Sequence, residues 1–331
     1  MRIKKNILLV ALLVMTLFTG GCSSKVVVQL GLPDSSVFTI NSFNCTNKEA
    51  KLYFITLRNE YKDYYGIDIW SEAVDASGDA SAGKSNLSDY VSDKTMARLQ
   101  NVCCMYLLAE ERGITLSDKE EGYLTQAANQ FYESLTSEER KELKVSVDDI
   151  ATYYRHFLMA NKLYEELTGG VEMQVSDGDA RVMKAQIIYT TDETIAAKVE
   201  SALNSGNEFA AVAAIYSEYD SIAVNIKKGD FSEEIEEAAF ALSEEETTDC
   251  IEADGGYYFI KCISRIDEEL TEENRQAIIA ETTEATFDSV YEEYVKALYI
   301  QVDEDMWEKV TGADYDELTT KDFFNVYNEW F

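Results

Sequence analysis

Met183-Lys184-Ala185-Gln186-Ile187-Ile188-Tyr189 reads as a short strand, and the residues after it set the architecture of the whole chain. A helix is expected from about Glu193 to Ser205. The apolar stretch Asn207-Glu208-Phe209-Ala210-Ala211-Val212-Ala213-Ala214-Ile215-Tyr216-Ser217 comes next. The segment closes with Ala238-Ala239-Phe240-Ala241-Leu242 and the hairpin Asp254-Gly255-Gly256-Tyr257-Tyr258-Phe259-Ile260-Lys261. Strand, helices and hairpin in that order describe a small α/β unit ending near Ile266.

Outward from this unit the pattern is helical on both sides. Leu52, Phe54, Ile55, Leu57, Tyr61 and Tyr64 recur at three- and four-residue intervals after Asn47, and Gly66 ends the run. A second helix carries Met96, Leu99, Val102, Cys103, Tyr106 and Leu107, and Gly113 stops it. Ser117-Asp118-Lys119-Glu120 and Thr136-Ser137-Glu138-Glu139 each set a hydroxyl three residues before a glutamate, the mark of a capping box. A further helix is expected over about Val147 to Leu167, with Ile150, Tyr153, Phe157 and Tyr164 on its apolar face and Gly169-Gly170 after it. Ahead of all these, Val37-Phe38-Thr39-Ile40 suits a short strand.

Beyond Ile266 a helix is expected from about Glu272 to Leu298. An aromatic tail comes after it: Trp307, Tyr315, Phe323, Phe324, Tyr327, Trp330 and Phe331. Each large aromatic offers about 150–250 Å² for burial, so such a tail must pack onto something. The N-terminal helices are the available surface. The expected fold class is therefore α+β: a mostly helical domain built from the N- and C-terminal parts, with the small α/β unit inserted. The boundaries read as 1–21 leader, 22–36 tether, 37–175 helical part, 176–266 inserted unit and 267–331 returning helical segment.

The inserted stretch resembles a parvulin-type prolyl isomerase, and the layout around it is similar to the foldase lipoproteins of Gram-positive bacteria and the periplasmic chaperone SurA. Gly66-Ile67-Asp68-Ile69-Trp70 after the first helix also looks like that family's helical domain. The resemblance implies binding of unfolded exported polypeptides and catalysed rotation about X–Pro bonds. That rotation is slow because the amide has partial double-bond character. Its catalyst needs no nucleophile, only an apolar pocket for the proline ring and hydrogen bonds that favour the twisted amide.

In parvulins, as the resemblance implies, Met and Phe line the pocket, two histidines on adjacent central strands sit beneath it, and a Cys or Asp lies beside the twisting carbonyl. The first histidine position falls here on Gln186 and the second on Tyr258. The acidic position falls near Tyr219 or Asp220, after Ser217. The pocket phenylalanine matches Phe240, and the glycine-rich loop is cut down to Lys228-Gly229-Asp230-Phe231 with no matching methionine. Gln186, Tyr258 and Asp220 are thus the catalytic candidates, with Ser217, Phe231 and Phe240 for substrate. Gln186 and Tyr258 are able to hydrogen-bond to each other across the strands, but they cannot reproduce the protonation behaviour of two imidazoles. His156, the single histidine, is expected as a partly exposed helix residue of the helical domain.

The first residues read as a targeting leader. Arg2, Lys4 and Lys5 precede the apolar run Ile7–Phe18, too short for a membrane span of about 20 residues. Thr19-Gly20-Gly21-Cys22 looks like a lipobox with Thr19 in place of the favoured leucine, which makes Cys22 the expected site of lipid attachment. The expected location is the cell membrane, lipid-anchored on its extracytoplasmic face.

The formal charge is −33, and loss of the three leader cations takes it to −36. Such a surface repels nucleic acid and attracts cationic partners. Five cysteines remain after Cys22, an odd number that completes no disulfide framework, and they read as small buried hydrophobes. With one histidine and no Cys-x-x-Cys, no metal site is expected, and no cofactor. Gly78-Asp79-Ala80-Ser81-Ala82-Gly83-Lys84-Ser85 satisfies the Walker A pattern, yet the polar residues 71–77 before it lack strand character, so it reads as a loop without nucleotide.

Three functions stay open. One is a foldase whose inserted unit catalyses X–Pro isomerisation. Another is a chaperone whose parvulin-like unit is inert. A more remote one is a solute-binding lipoprotein, which calls for βαβ repeats that this chain lacks.

Overall fold

The computed structural model describes residues 35–66, 70–71, 73–74 and 85–331. The leader, Cys22, most of the tether and the Walker-like residues 78–84 lie outside the described residues, as do residues 67–69. The chain divides into two compact units, residues 1–168 with 286–331 and residues 169–285, so the inserted arrangement holds. On the return the division falls inside the helix Glu268–Ala297.

The first unit is a helical body around a small antiparallel sheet. Strand β1 (Ser36–Ile40) is buried along its whole length and lies between β2 (Phe43–Thr46) and a strand from the far end of the chain, Ile300–Val302. Phe38 pairs with Val302 and Ile40 with Ile300. The last of these strands was hidden in the sequence, because three residues are too few to show a period of two. A two-residue pair, β3 (Ala73–Val74) with β4 (Ser85–Asn86), flanks the long connection.

Helix Asn47–Tyr65 starts at Thr46, whose hydroxyl accepts the Glu49 N–H at 3.2 Å, and stops at Gly66, where φ is 94°. Both expected capping boxes form, at Ser117 ahead of Asp118–Ser134 and at Thr136 ahead of Ser137–Leu143. Leu87–Glu111 and Val147–Thr168 complete the set. The aromatic tail folds back as expected. Trp307 lies on helix Glu304–Thr311, and Phe323, Phe324 and Tyr327 on Phe323–Trp330, all buried in one core with the N-terminal helices. Phe323 stacks on Tyr154 at 4.5 Å, and the Tyr154 hydroxyl donates to the Phe323 carbonyl at 2.8 Å. Burying such side chains contributes about 1.5–3 kcal/mol each, so the tail is a structural half of this unit rather than an appendage.

His156 departs from expectation. It is 7% exposed, and its Nδ1 lies 2.9 Å from Oε1 of Glu49, itself 1% exposed. The helix turns His156 inward beside Phe157, where it partners that buried carboxylate; an isolated buried charge is costly.

The second unit is a four-stranded antiparallel sheet. Strands β5 (Val182–Thr190), β6 (Ala223–Lys227), β7 (Ile251–Ala253) and β8 (Gly256–Ser264) lie in the order β6-β5-β8-β7. Side chains alternate across the two faces. Ala185, Ile187, Tyr258, Ile260 and Cys262 pack under helix Glu233–Ala241, while Ile188 and Phe259 pack against helices Glu193–Asn204 and Phe209–Tyr216. The β7–β8 hairpin turns on Asp254 and Gly255, both at positive φ (50° and 76°), as a two-residue primed turn requires. Its register pairs Ile251 with Tyr258, so Cys250 falls one step on, opposite Phe259 and away from Cys262. All five described cysteines are free thiols, four buried and Cys250 half-buried. Among the described residues no helix is long and apolar enough to cross a membrane.

Candidate functional site

The β5–β8 register decides which side chains meet. Gln186 lies opposite Lys261, whereas Tyr258 lies opposite Tyr189. Gln186 and Tyr258 are therefore three steps apart and on opposite faces, and the expected hydrogen bond between them is not formed. A one-residue shift moves a whole strand's side chains to the other face. The β5 residues on Tyr258's face include Ala185, Ile187 and Tyr189, and Tyr189 is the one directly opposite it.

The side chains that assemble on that face are aromatic. The Tyr189 and Tyr258 rings are 4.7 Å apart, Tyr219 meets Tyr189 at 5.6 Å, and Phe231 meets Tyr258 edge-on at 6.4 Å. Gly256 makes room for this packing. A Cβ there would sit 2.2 Å from Cε2 of Tyr189, so the ring lies directly on the glycine. Tyr258 is 6% exposed beneath its neighbours, while Tyr219 is 38% exposed at the rim. Burial, then the adjoining Tyr219, Tyr189 and Asp254, push the Tyr258 phenol up to about 12, so it remains a neutral hydrogen-bond donor at physiological pH.

The other candidates hold this face in place or lie apart from it. The Ser217 hydroxyl accepts the N–H groups of Tyr189 at 3.3 Å and Tyr219 at 3.2 Å, fixing the loop that brings Tyr219 to the cluster. Glu218 accepts from the Thr191 N–H and Thr190 Oγ1, bonds that hold its carboxyl below the usual range. Asp220 is exposed one residue beyond Tyr219. The shortened loop is closed by Glu236, which accepts from Gly229 N at 2.7 Å and Phe231 N at 3.0 Å, and so aims Phe231 at Tyr258. Phe240 packs against the same buried cluster as Tyr258 and Phe231, toward the Arg181 end of the strand. The Arg181 guanidinium lies 4.2 Å over its ring and bonds its carbonyl, and Arg181 is at the end of β5 opposite to Tyr189. Eight residues of strand span about 26 Å, more than an arginine side chain bridges. The structure thus brings Tyr258 and Phe231 into ring contact, with Ser217 in support; Phe240 lies on the same cluster nearer Arg181, and Gln186 on the opposite face of the sheet.

Tyr189 and Gly256 were given no role from sequence, and Tyr219 was named only as a place for the acidic position. Counting by two along Met183–Tyr189 puts Tyr189 in line with Ala185 and Ile187. Which residue of β8 it meets depends on a register that the sequence does not display. Among the described residues no three His, Cys, Asp or Glu side chains converge to hold a metal ion.

Residues 174–277 match the family model of the PPIC-type PPIase domain. The chain is 27% identical over 277 residues to the foldase protein PrsA of Caldanaerobacter subterraneus subsp. tengcongensis, covering 76% of this chain and 81% of that protein. Among solved structures it is similar to the peptidylprolyl isomerase PrsA of Bacillus cereus, with 17% identity, 78% and 99% coverage and a TM-score of 0.32. A SurA-like chaperone of Campylobacter jejuni shares 12% identity, with 81% and 99% coverage and a TM-score of 0.29. The inserted unit is therefore a parvulin domain of the PPIC type, carried by a chain homologous to a PrsA foldase.

Proposed function

We propose that this protein is a foldase held at the outer face of the cell membrane by a lipid on Cys22. In this reading it binds unfolded exported polypeptides, and its parvulin domain grips proline-containing segments without appreciably speeding their isomerisation. The observation that carries this is the aromatic face itself: Tyr189, Tyr219, Tyr258 and Phe231 occupy the domain where the family places a pair of imidazoles. The chain's one histidine, His156, is committed to Glu49 in the helical unit. Proline packs well on aromatic rings, and in this reading the Tyr258 phenol, 6% exposed beneath its neighbours, is not presented to the twisted amide that would need it.

The test is exchange spectroscopy of an Ala-Pro peptide, alongside aggregation of an unfolded client. Suppressed aggregation with an unchanged cis–trans exchange rate supports the proposal. The neutral Tyr258 phenol favours the second reading, an active isomerase with a phenol as donor. Acceleration that Tyr258→Phe abolishes would establish that reading instead. For the anchor, Cys22→Ala is expected to release the protein from the membrane fraction.

A further inference from the structure

The aromatic face lies at the sheet end where β5 stops and the β7–β8 hairpin turns, and the segments around it are acidic. Asp192 and Glu193 come after β5, Glu218 and Asp220 flank Tyr219, and Glu252 and Asp254 border the hairpin turn. Their convergence shows in hydrogen bonds: the Glu218 N–H donates to the Tyr189 carbonyl, and the Glu218 carboxylate accepts from Thr190 and Thr191. It shows again in electrostatics: Asp254 adds, after burial and the neighbouring tyrosines, to raising the Tyr258 phenol, whereas Glu252, Glu193 and Asp192 act on Tyr257 on the sheet's other face. These segments hold no lysine or arginine.

The unit's cations are largely engaged elsewhere. Residues 169–285 carry 27 acidic against 8 basic side chains. Lys184 pairs with Asp267, Lys228 with Asp179, Lys261 with Glu245 and Arg275 with Asp177, while Arg181 stacks on Phe240 at the other end of β5. The ring faces of Tyr219 and Tyr189 inside an acidic rim make a surface that attracts a cation twice, through the ring quadrupole and through the summed charge. An anionic side chain set against the same face meets repulsion from Glu218, Asp220 and Asp254.

We infer that the parvulin domain selects proline segments in which lysine or arginine adjoins the proline, with the proline on the aromatic face and the cation between Tyr219 and the acidic rim. This rests on the proposed binding role of that face and narrows it to one class of client.

The test uses the full mature protein and four fluorescent peptides differing at two positions, carrying Lys-Pro, Ala-Pro, Glu-Pro or Lys-Ala. At low salt Lys-Pro is expected to bind about tenfold tighter than Glu-Pro, with Ala-Pro between, and the spread is expected to shrink at high salt because exposed charges are screened. The D254N variant is expected to narrow the spread while keeping Ala-Pro affinity. Asparagine tolerates the positive φ at position 254, so the hairpin is retained. Equal affinity for Lys-Pro and Glu-Pro overturns the inference and leaves proline binding standing. Lys-Ala binding as tightly as Lys-Pro also overturns it, since charge alone then suffices. If neither Ala-Pro nor Lys-Pro binds, the underlying reading of the face falls with it.

Discussion

The carboxylate of Glu139 holds Thr320, 181 positions later in the chain: its Oε1 accepts the Thr320 N–H at 2.7 Å and the Thr319 N–H at 2.8 Å. The same carboxylate accepts the Thr136 N–H at 2.8 Å, closing the capping box. Asn59 holds Thr320 from the other side by donating to its carbonyl at 2.8 Å. A helix cap has thereby become the clasp that fastens the C-terminal segment to the N-terminal helices.

Glu139→Ala strands the buried Thr320 N–H and removes the bonds to Thr136 and Thr319, and is expected to cost about 2–4 kcal/mol. Burial alone would raise the Glu139 carboxyl, but the N–H groups of Thr136, Thr319 and Thr320 outweigh it and hold it below its ordinary value. A depressed carboxyl contributes stability that is present above the unfolded-chain value of about 4.3 and lost as pH falls through its folded value. Urea titrations should show wild type losing stability below about pH 4 more steeply than Glu139→Gln. Parallel acid limbs would remove Glu139 from the clasp.

That clasp was half legible. Thr136 to Glu139 spells a capping box in four letters, because the interaction is local, and the aromatic tail announced that it must be buried. The tie to Thr320 was not readable, since nothing in either segment names the other. The same division holds in the parvulin domain. Strand, helices and the Asp254-Gly255 hairpin are written in local pattern. The pairing of Tyr258 with Tyr189 is a matter of register between distant strands, and that register sets Gln186 on the face away from Tyr258. Phe240 packs inward, as a phenylalanine on a short amphipathic helix should, but sequence does not say along which part of the sheet.

His156 and Glu49 offer a second check on the helical unit. The imidazole is further enclosed by Tyr106 at 4.6 Å and Phe43 at 5.3 Å. His156→Ala removes the partner of a buried carboxylate and opens a cavity, so a loss of about 3 kcal/mol is expected. Glu49→Gln keeps a hydrogen-bonding group opposite the ring and should cost less. Denaturation midpoints for the two variants decide the matter, and a His156→Ala protein as stable as wild type would make the pair incidental.

Gly256 and Tyr189 can be tested as a couple. Gly256→Ala forces a Cβ to within 2.2 Å of Tyr189 Cε2, and the ring must swing away. The backbone at 256 is not in the left-handed region, so the effect should come from the ring and not from chain strain. Gly256→Ala is expected to weaken Ala-Pro peptide binding about fivefold and to lower Tm by a few degrees. In a Tyr189→Leu background the same change should be smaller in both respects, giving a coupling of about 1 kcal/mol in a double-mutant cycle. Additive effects would mean that the glycine is needed for something other than the ring.

Alkaline pH should separate the buried tyrosines from the exposed ones. Burial is the leading cause that pushes Tyr61, Tyr258, Tyr294 and Tyr315 up to about 12. In the unfolded chain their phenols ionise near 10. Below pH 10 both states keep these protons and stability is complete. Between about 10 and 12 the unfolded chain releases protons that the native protein retains, so unfolding becomes progressively more favourable as pH rises. Absorbance at 295 nm, read at pH 11 with and without denaturant, is expected to show a smaller fraction of the 21 tyrosines ionised in the folded protein. The denaturation midpoint should fall over the same interval, and Tyr258→Phe should remove part of that slope for the parvulin domain. A midpoint that holds steady from pH 9 to pH 11 would show that these phenols titrate in the native protein as they do in the unfolded chain.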